Sequence, residues 1–205
     1  TDITFLIPYV ISKDIKLNKL PDKFIVRGEL IISKDDFKSL DGKYANARNT
    51  VSGLVNSKTY SKRLNVAHKT KFIAYQVIYP RYNQYIQMKE LQKYNFPTVT
   101  YKIMKETELI NETLSKYLLE RREKSAHEID GIVVVHSDDT YEIPKENPKH
   151  AFAFKQVMDD QFGETTVLDV KWTISKDGYL KPTVHVEPIK LVGTTIKKVY
   201  AHNAK

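Results

Sequence analysis

The sequence predicts an α+β chain, with helices and antiparallel strands mixed over most of its length and strands alone in its tail. Two observations carry that reading. Runs rich in β-branched residues, such as Lys23–Ile32 and Lys71–Tyr79, alternate with segments whose apolar residues recur at helical spacing. After Phe162 the chain breaks into short strands split by glycine turns, the texture of the start of a small β-barrel. A boundary near Gly163 therefore separates residues 1–162 from residues 163–205.

The elements follow in order. Thr4–Val10 is an apolar run with no cap or turn before it, and a polar linker from Ser12 to Pro21 leads into the strand Lys23–Ile32. Glu29 lies in the second half of that strand, where a carboxylate among apolar neighbours needs a cation, a hydrogen-bond donor or a ligand. Ser33 caps a short helix, Lys34–Leu40, before an Asp41-Gly42 turn. Tyr44–Asn56 mixes small residues with Arg48 and Gly53, which allows a close approach to another strand or a ligand.

After the strand Lys71–Tyr79, the spacing predicts a helix over Tyr82–Tyr94, with Tyr85, Met88 and Leu91 along one face. Pro97 introduces a third strand, Thr98–Met104. A longer helix carries Ile110, Leu114, Tyr117, Leu118 and Arg121 at helical spacing and ends in Arg121-Arg122-Glu123-Lys124, cations suited to a helix C-terminus. The strand Ile129–His136 begins at an Asp130-Gly131 step, which places a carboxylate at a strand start beside a buried sheet. A polar loop, Ser137–Lys149, joins it to the strand Ala151–Val157. The tail reads as strands Thr165–Ile174, Leu180–Leu191 and Thr195–Tyr200, turned at Asp177-Gly178 and Gly193.

Composition narrows the chemistry. There is no cysteine among the 205 residues, which excludes disulfides, a thiol nucleophile and cysteine-ligated zinc. A formal charge of +8 favours a polyanionic partner. No apolar run reaches the length of a membrane span and the N-terminus lacks a signal-peptide pattern, so the chain reads as soluble, with no membrane partner.

Four blocks in sequence order carry a resemblance: Val26-Arg27-Gly28-Glu29-Leu30, Ala45-Asn46-Ala47-Arg48-Asn49, Ile129-Asp130-Gly131 with its valine run, and Ala151-Phe152-Ala153-Phe154-Lys155. Together they resemble the nucleotidyltransferase domain of NAD-dependent DNA ligases, an ATP-grasp-like adenylation fold. Lys171-Trp172, Gly178-Tyr179-Leu180-Lys181-Pro182 and Glu187-Pro188 extend the likeness to the opening of that family's oligonucleotide-binding (OB) barrel. Coverage is nearly end to end. The resemblance implies a ligase that seals 5′-phosphate to 3′-hydroxyl nicks in duplex DNA, takes AMP from NAD and uses a divalent cation, magnesium.

It also implies roles. Glu29 contacts the nucleotide ribose region and, with Asp130, serves the metal indirectly; Asp130 also assists the lysine nucleophile. Tyr75 stacks on adenine, Val133 lines the nucleotide, and Lys155 contacts phosphate and takes part in proton transfer. Arg48 and Arg122 hold phosphates of DNA or nucleotide, a task for a bidentate donor.

Departures from the family are equally plain. Ala47 stands where the family has proline, Val135 where it has a phosphate-binding lysine, and Asn56 where it has an arginine; His136 or Lys149 is the residue expected to compensate. The nucleophile motif Lys-x-Asp-Gly is absent; Lys176-Asp177-Gly178 lacks the intervening residue and reads as a hairpin turn. The nucleophile is expected outside this chain, in a preceding segment or in a second subunit of a split enzyme. The rival expectation is a non-catalytic DNA-binding or assembly module; an ATP-using ligase or RNA-capping relative is a further enzyme reading. A lysine-, asparagine- and tyrosine-rich chain without cysteine suits a phage or viral protein acting in the cytoplasm of a bacterial cell.

Overall fold

A computed structural model describes residues 2–40, 44–57, 59–142, 146–156, 162–191 and 194–201. The expected turns at Asp41-Gly42 and Gly193 lie outside the described residues. The chain divides into two compact units, residues 1–156 and 157–205.

In the first unit, β1 (Ile25–Ile32) pairs antiparallel with β2 (Thr70–Tyr79), Gly28 facing Ala74 and Glu29 facing Ile73. The sheet is amphipathic. Ala74 and Val77 on its inner side are buried against Met88 and Leu91 of α5 (Gln84–Lys93), with Phe24, Val26 and Phe72 packed around them. A second cluster gathers Leu6 from the 3-10 turn Thr4–Leu6 with Val10, Ile32, Val51, Leu54 and Val66 from α1 (Ile7–Val10), β1, α3 (Ala47–Val55) and α4 (Leu64–Lys69). Each such leucine or valine removed from water contributes about 2 kcal/mol.

Ser33 caps α2 (Lys34–Lys38), its hydroxyl accepting from the Asp36 amide at 3.1 Å. The apolar run Thr4–Val10 is helical, a 3-10 turn running into α1. Tyr44–Asn56 is not merely a small-residue segment. It contains α3, whose N-cap Asn46 accepts from the Asn49 amide at 2.7 Å and whose Thr50, Val51 and Leu54 are buried.

Three expectations are corrected. Thr98–Met104 forms no strand: Thr98 makes a single parallel bridge to Ala74, and Val99 and Ile103 are exposed. It meets the edge of β2 only there, the Ala74 amide donating to the Pro97 carbonyl at 2.7 Å and the Val99 amide to the Ala74 carbonyl at 3.1 Å, and strand propensity without a continuing partner yields only extended chain. Tyr85 is exposed, its ring beneath the Lys89 ammonium, so the apolar face of α5 is Met88 and Leu91 alone with the buried amide of Gln87. The sheet that follows Asp130 is not buried. β3 (Gly131–Val135) and β4 (Ala151–Lys155) form a separate two-stranded ribbon, and Val133 and Phe152 are 69% and 50% exposed.

Helix α6 (Asn111–Lys124) precedes that ribbon and buries Leu114 and Leu118, as the helical spacing predicts, while Ile110 is exposed at its N-cap.

The second unit is an antiparallel meander of β5 (Val167–Ile174), β6 (Leu180–Leu191) and β7 (Thr194–Tyr200). Val170, Trp172 and Ile174 oppose Val184, Pro182 and Leu180 on one face, and Lys171 and Thr173 oppose Thr183 and Lys181 on the other. Nearly all of these residues are exposed or half-exposed.

Candidate active site

Most of the expected site residues fall on two ribbons of the first unit, and Arg48 and Arg122 come from helices. On the β1–β2 ribbon, a bulge makes Tyr75 the extra residue between the pairs Gly28–Ala74 and Arg27–Gln76. Glu29 and Tyr75 are both exposed, whereas Ala74 is completely buried. The bulge thus keeps the apolar side inward and turns carboxylate and phenol outward. Arg27 donates from Nη1 to Gln76 Oε1 at 3.2 Å on the same outer side. Gly28 is required where it stands, because a Cβ there would collide with the Ile73 carbonyl and the Phe72 ring. That close approach fixes the strand that carries Glu29.

The β3–β4 ribbon gathers the second group. Lys155 sits opposite Gly131, and Val133 opposite Ala153, so Lys155, Val133 and Val135 share one face. Asp130 precedes Gly131 directly and is exposed, which brings its backbone to the same end of the ribbon as Lys155. Arg122 holds that end together. Its Nε donates to the Ile129 carbonyl at 3.0 Å, and its Nη2 donates to the carbonyls of Asp130 at 2.8 Å and Gln156 at 2.9 Å. Nη1 is buried without a partner among the described residues, as is Gln156 Oε1. Arg122 is therefore a clamp on both strands, with one donor to spare.

The two ribbons are tied at one corner. Arg81 and Glu142 form an ion pair at 3.1 Å, and the Asn83 amide donates to the Asp138 carbonyl at 3.3 Å. Between α6 and β3, Lys34 donates to the carbonyls of Arg122 and Ser125, which anchors the chain just before His127. Burial pushes the His127 imidazole below its ordinary value, assisted by nearby Lys71 and Lys34 and opposed by Asp36.

Arg48 belongs to neither ribbon and is exposed on the first turn of α3, whose Val51 and Leu54 pack in one cluster with Ile32 of β1. At the two departures, Val135 is a half-buried valine and Asn56 turns back on its own helix, donating to the Ser52 carbonyl at 2.9 Å. Of the two residues expected to compensate, His136 is engaged by the Tyr141 hydroxyl at 2.6 Å, and Tyr141 stacks on His150; Lys149 is exposed. Sequence reasoning passed over Arg63, whose guanidinium packs on α3 at Gly53. The available signal was a glycine inside the last turn of a helix, which costs stability and so usually clears room for something.

The sequence matches a known family over most of the chain. The model of the NAD-dependent DNA ligase adenylation domain covers residues 6–158. The chain belongs to that family.

Its relatives are consistent with this. A DNA ligase of Acanthamoeba polyphaga mimivirus is 38% identical over 205 residues, covering 100% of this chain and 31% of its own length. A DNA ligase of Brachyspira hyodysenteriae is 30% identical over 213 positions, covering 94% of this chain and 30% of its own. One from Halothermothrix orenii is 29% identical, covering 98% and 32%. The chain thus spans about a third of the length of these curated relatives. No helix among the described residues is long and apolar enough to cross a membrane.

Proposed function

We propose that this chain is the nucleotide-binding and phosphate-binding part of an NAD-dependent DNA ligase that seals nicks in duplex DNA. Residues 1–162 are the C-terminal portion of the adenylation domain and residues 163–205 open an oligonucleotide-binding barrel. The observation that carries the reading is the placement of the family residues. Glu29 and Tyr75 stand on the outer face of one ribbon, and Asp130 and Lys155 at one end of the other, all exposed, in a chain of that family.

NAD supplies AMP. A lysine nitrogen forms a bond to the α-phosphorus as the bond to nicotinamide mononucleotide breaks; AMP then passes to the 5′-phosphate of the nick, and attack by the 3′-hydroxyl releases it. Within this scheme Tyr75 and the exposed Val133 flank the adenine, and Glu29 binds the ribose. Lys155 stabilises phosphate oxygens as charge develops, and Arg122 positions it by clamping the end of its ribbon through the Ile129, Asp130 and Gln156 carbonyls. Arg48 binds the nicked strand.

Magnesium usually takes one or two carboxylates and completes its shell with phosphate oxygens and water. Glu29 and Asp130 fit that demand: both are exposed carboxylates without an ion pair among the described residues, and those residues contain no cluster of three metal-ligating side chains. A bound cation would neutralise phosphate charge there. The nucleophile comes from outside residues 1–205, which contain no Lys-x-Asp-Gly, either from a further segment of the polypeptide or from a second subunit. The protein works in the cytoplasm of a bacterial cell, including one infected by phage.

A second reading has its own support. Val135 and the helix-bonded Asn56 remove two cations from the phosphate path, as a DNA-binding module derived from a ligase would tolerate. Labelled NAD and magnesium separate the readings: the chain is incubated alone, within its longer polypeptide, and beside a candidate partner, and covalent AMP is sought by intact mass. Label on the longer polypeptide supports a single-chain ligase, and label on the partner that depends on this chain supports a split one. Absence of label with nick binding retained supports the binding module.

A further inference from the structure

Arg63 ends a 3-10 turn, Tyr60–Arg63, and precedes α4, yet its side chain reaches back across α3. A Cβ built on Gly53 would lie 2.6 Å from Arg63 Nη1 and 3.5 Å from Cζ, so the glycine is a notch in which the guanidinium rests. Such a notch has a cost. Glycine in a helix interior destabilises relative to alanine by about 1 kcal/mol.

The position invites a plain explanation. Gly53 lies near the C-terminus of α3, and an arginine there can satisfy the last carbonyls and the helix dipole. In that case the guanidinium would donate to those carbonyls, but no hydrogen bond or ion pair joins Arg63 to any described residue. A half-buried guanidinium with five donors, held against a helix and bonded to no described residue, has donors for an acceptor that binds later.

The neighbours point to the acceptor. Arg48 is exposed on the first turn of α3, five residues before Gly53, which is about 7.5 Å along the helix axis. Lys62 is exposed next to Arg63. Asn49, Ser52 and Asn56, between the cations on the exposed side, are neutral and polar.

We propose that Arg63, seated in the Gly53 notch, is a DNA backbone-phosphate contact that works with Arg48, and that it replaces the cation missing at Asn56. This rests on the reading of the protein as a DNA ligase component. The contact is to phosphate, so it strengthens binding without reading sequence.

The test uses the complete ligase that contains this chain, with nicked-duplex affinity measured across a salt series and lysyl-AMP formation from NAD measured in parallel. Arg63→Ala weakens nick binding about tenfold and lowers the log–log salt slope by about one, since one fewer phosphate is neutralised. Its adenylation rate and melting temperature stay at wild-type values. Gly53→Ala shifts binding in the same direction, because its methyl displaces only the mobile end of Arg63. Asn56→Arg in the Arg63→Ala background restores the slope, since positions 53 and 56 are neighbours on one helix face.

Unchanged affinity and slope in Arg63→Ala overturns the proposal. So does a loss of affinity with an unchanged slope and a lowered melting temperature, which is a packing role, and so does a raised KM for NAD with nick binding intact. Failure of the wild-type ligase to form lysyl-AMP counts against the ligase reading instead, and the salt slope still decides the role of Arg63.

Discussion

The two ribbons that carry the candidate site are built on opposite principles. β1–β2 is backed by a core: Ala74, Val77, Met88 and Leu91 are buried beneath it, and a bulge adjusts which side chains face out. β3–β4 has 69% of Val133 and 50% of Phe152 exposed, and its open end is held chiefly by a single guanidinium bonded to three carbonyls. An isolated two-stranded ribbon is marginal in water. The difference teaches that half of the site is rigid by packing and the other half by polar anchoring. Packing is distributed over many contacts, and anchoring can be removed at one residue.

The comparison is sharpened first at the chemistry. Lys155→Ala on the anchored ribbon and Glu29→Ala on the packed one should each slow sealing about a thousandfold, the upper range for a positioned acid–base or charge-stabilising group. Circular dichroism should be unchanged in both. If one variant kept full sealing in single-turnover assays, its ribbon would not belong to the site.

Stability comes next. Leu91→Ala should cost about 3 kcal/mol in urea unfolding, since a fully buried leucine is truncated beneath β2. Arg122→Ala should cost about 2 kcal/mol and act locally, leaving the Ile129, Asp130 and Gln156 carbonyls short of a donor. Native-state hydrogen exchange separates them: Arg122→Ala accelerates exchange over residues 131–135 and 151–155 and spares residues 25–32. Equal acceleration in both ribbons would show that the anchoring is not local. Arg122→Lys should not rescue, because one ammonium cannot reproduce the fork.

The smallest effect is the pH dependence from His127. Its folded pKa lies below the ordinary 6.5 because burial disfavours the imidazolium. The unfolded chain therefore binds a proton that the folded chain resists. Stability is fully present above 6.5 and declines as pH falls below it. His127→Gln should flatten that acid limb in urea midpoints taken on either side of 6.5; an unchanged limb would assign it to other groups.

Much of this was legible in the sequence. The strands around Glu29 and Tyr75 showed in their β-branched runs, the buried Met88, Leu91, Leu114 and Leu118 in helical spacing, and the Ser33 cap in its residue type. What escaped was whatever depends on a distant partner. Thr98–Met104 has strand composition but finds only one bridge to Ala74, and no local pattern shows whether a ladder awaits. The valine run after Asp130 looks like a buried strand, yet nothing among the described residues covers Val133. Arg122 read as a phosphate ligand by position, and its three bonds to backbone carbonyls are visible only once β3 and β4 are paired. Helix α3 was obscured by its glycine, whose purpose lies with Arg63 ten residues away.

The central claim is that the packed and the anchored ribbons bind one nucleotide between their named residues. Hydrogen exchange of the complete ligase containing this chain, with and without NAD, tests it most directly. The account predicts slowed exchange on NAD addition over residues 25–32 and 70–79 and over residues 131–135 and 151–155 together, with the second pair unprotected in Lys155→Ala. Protection confined to one ribbon, or to neither, would contradict it.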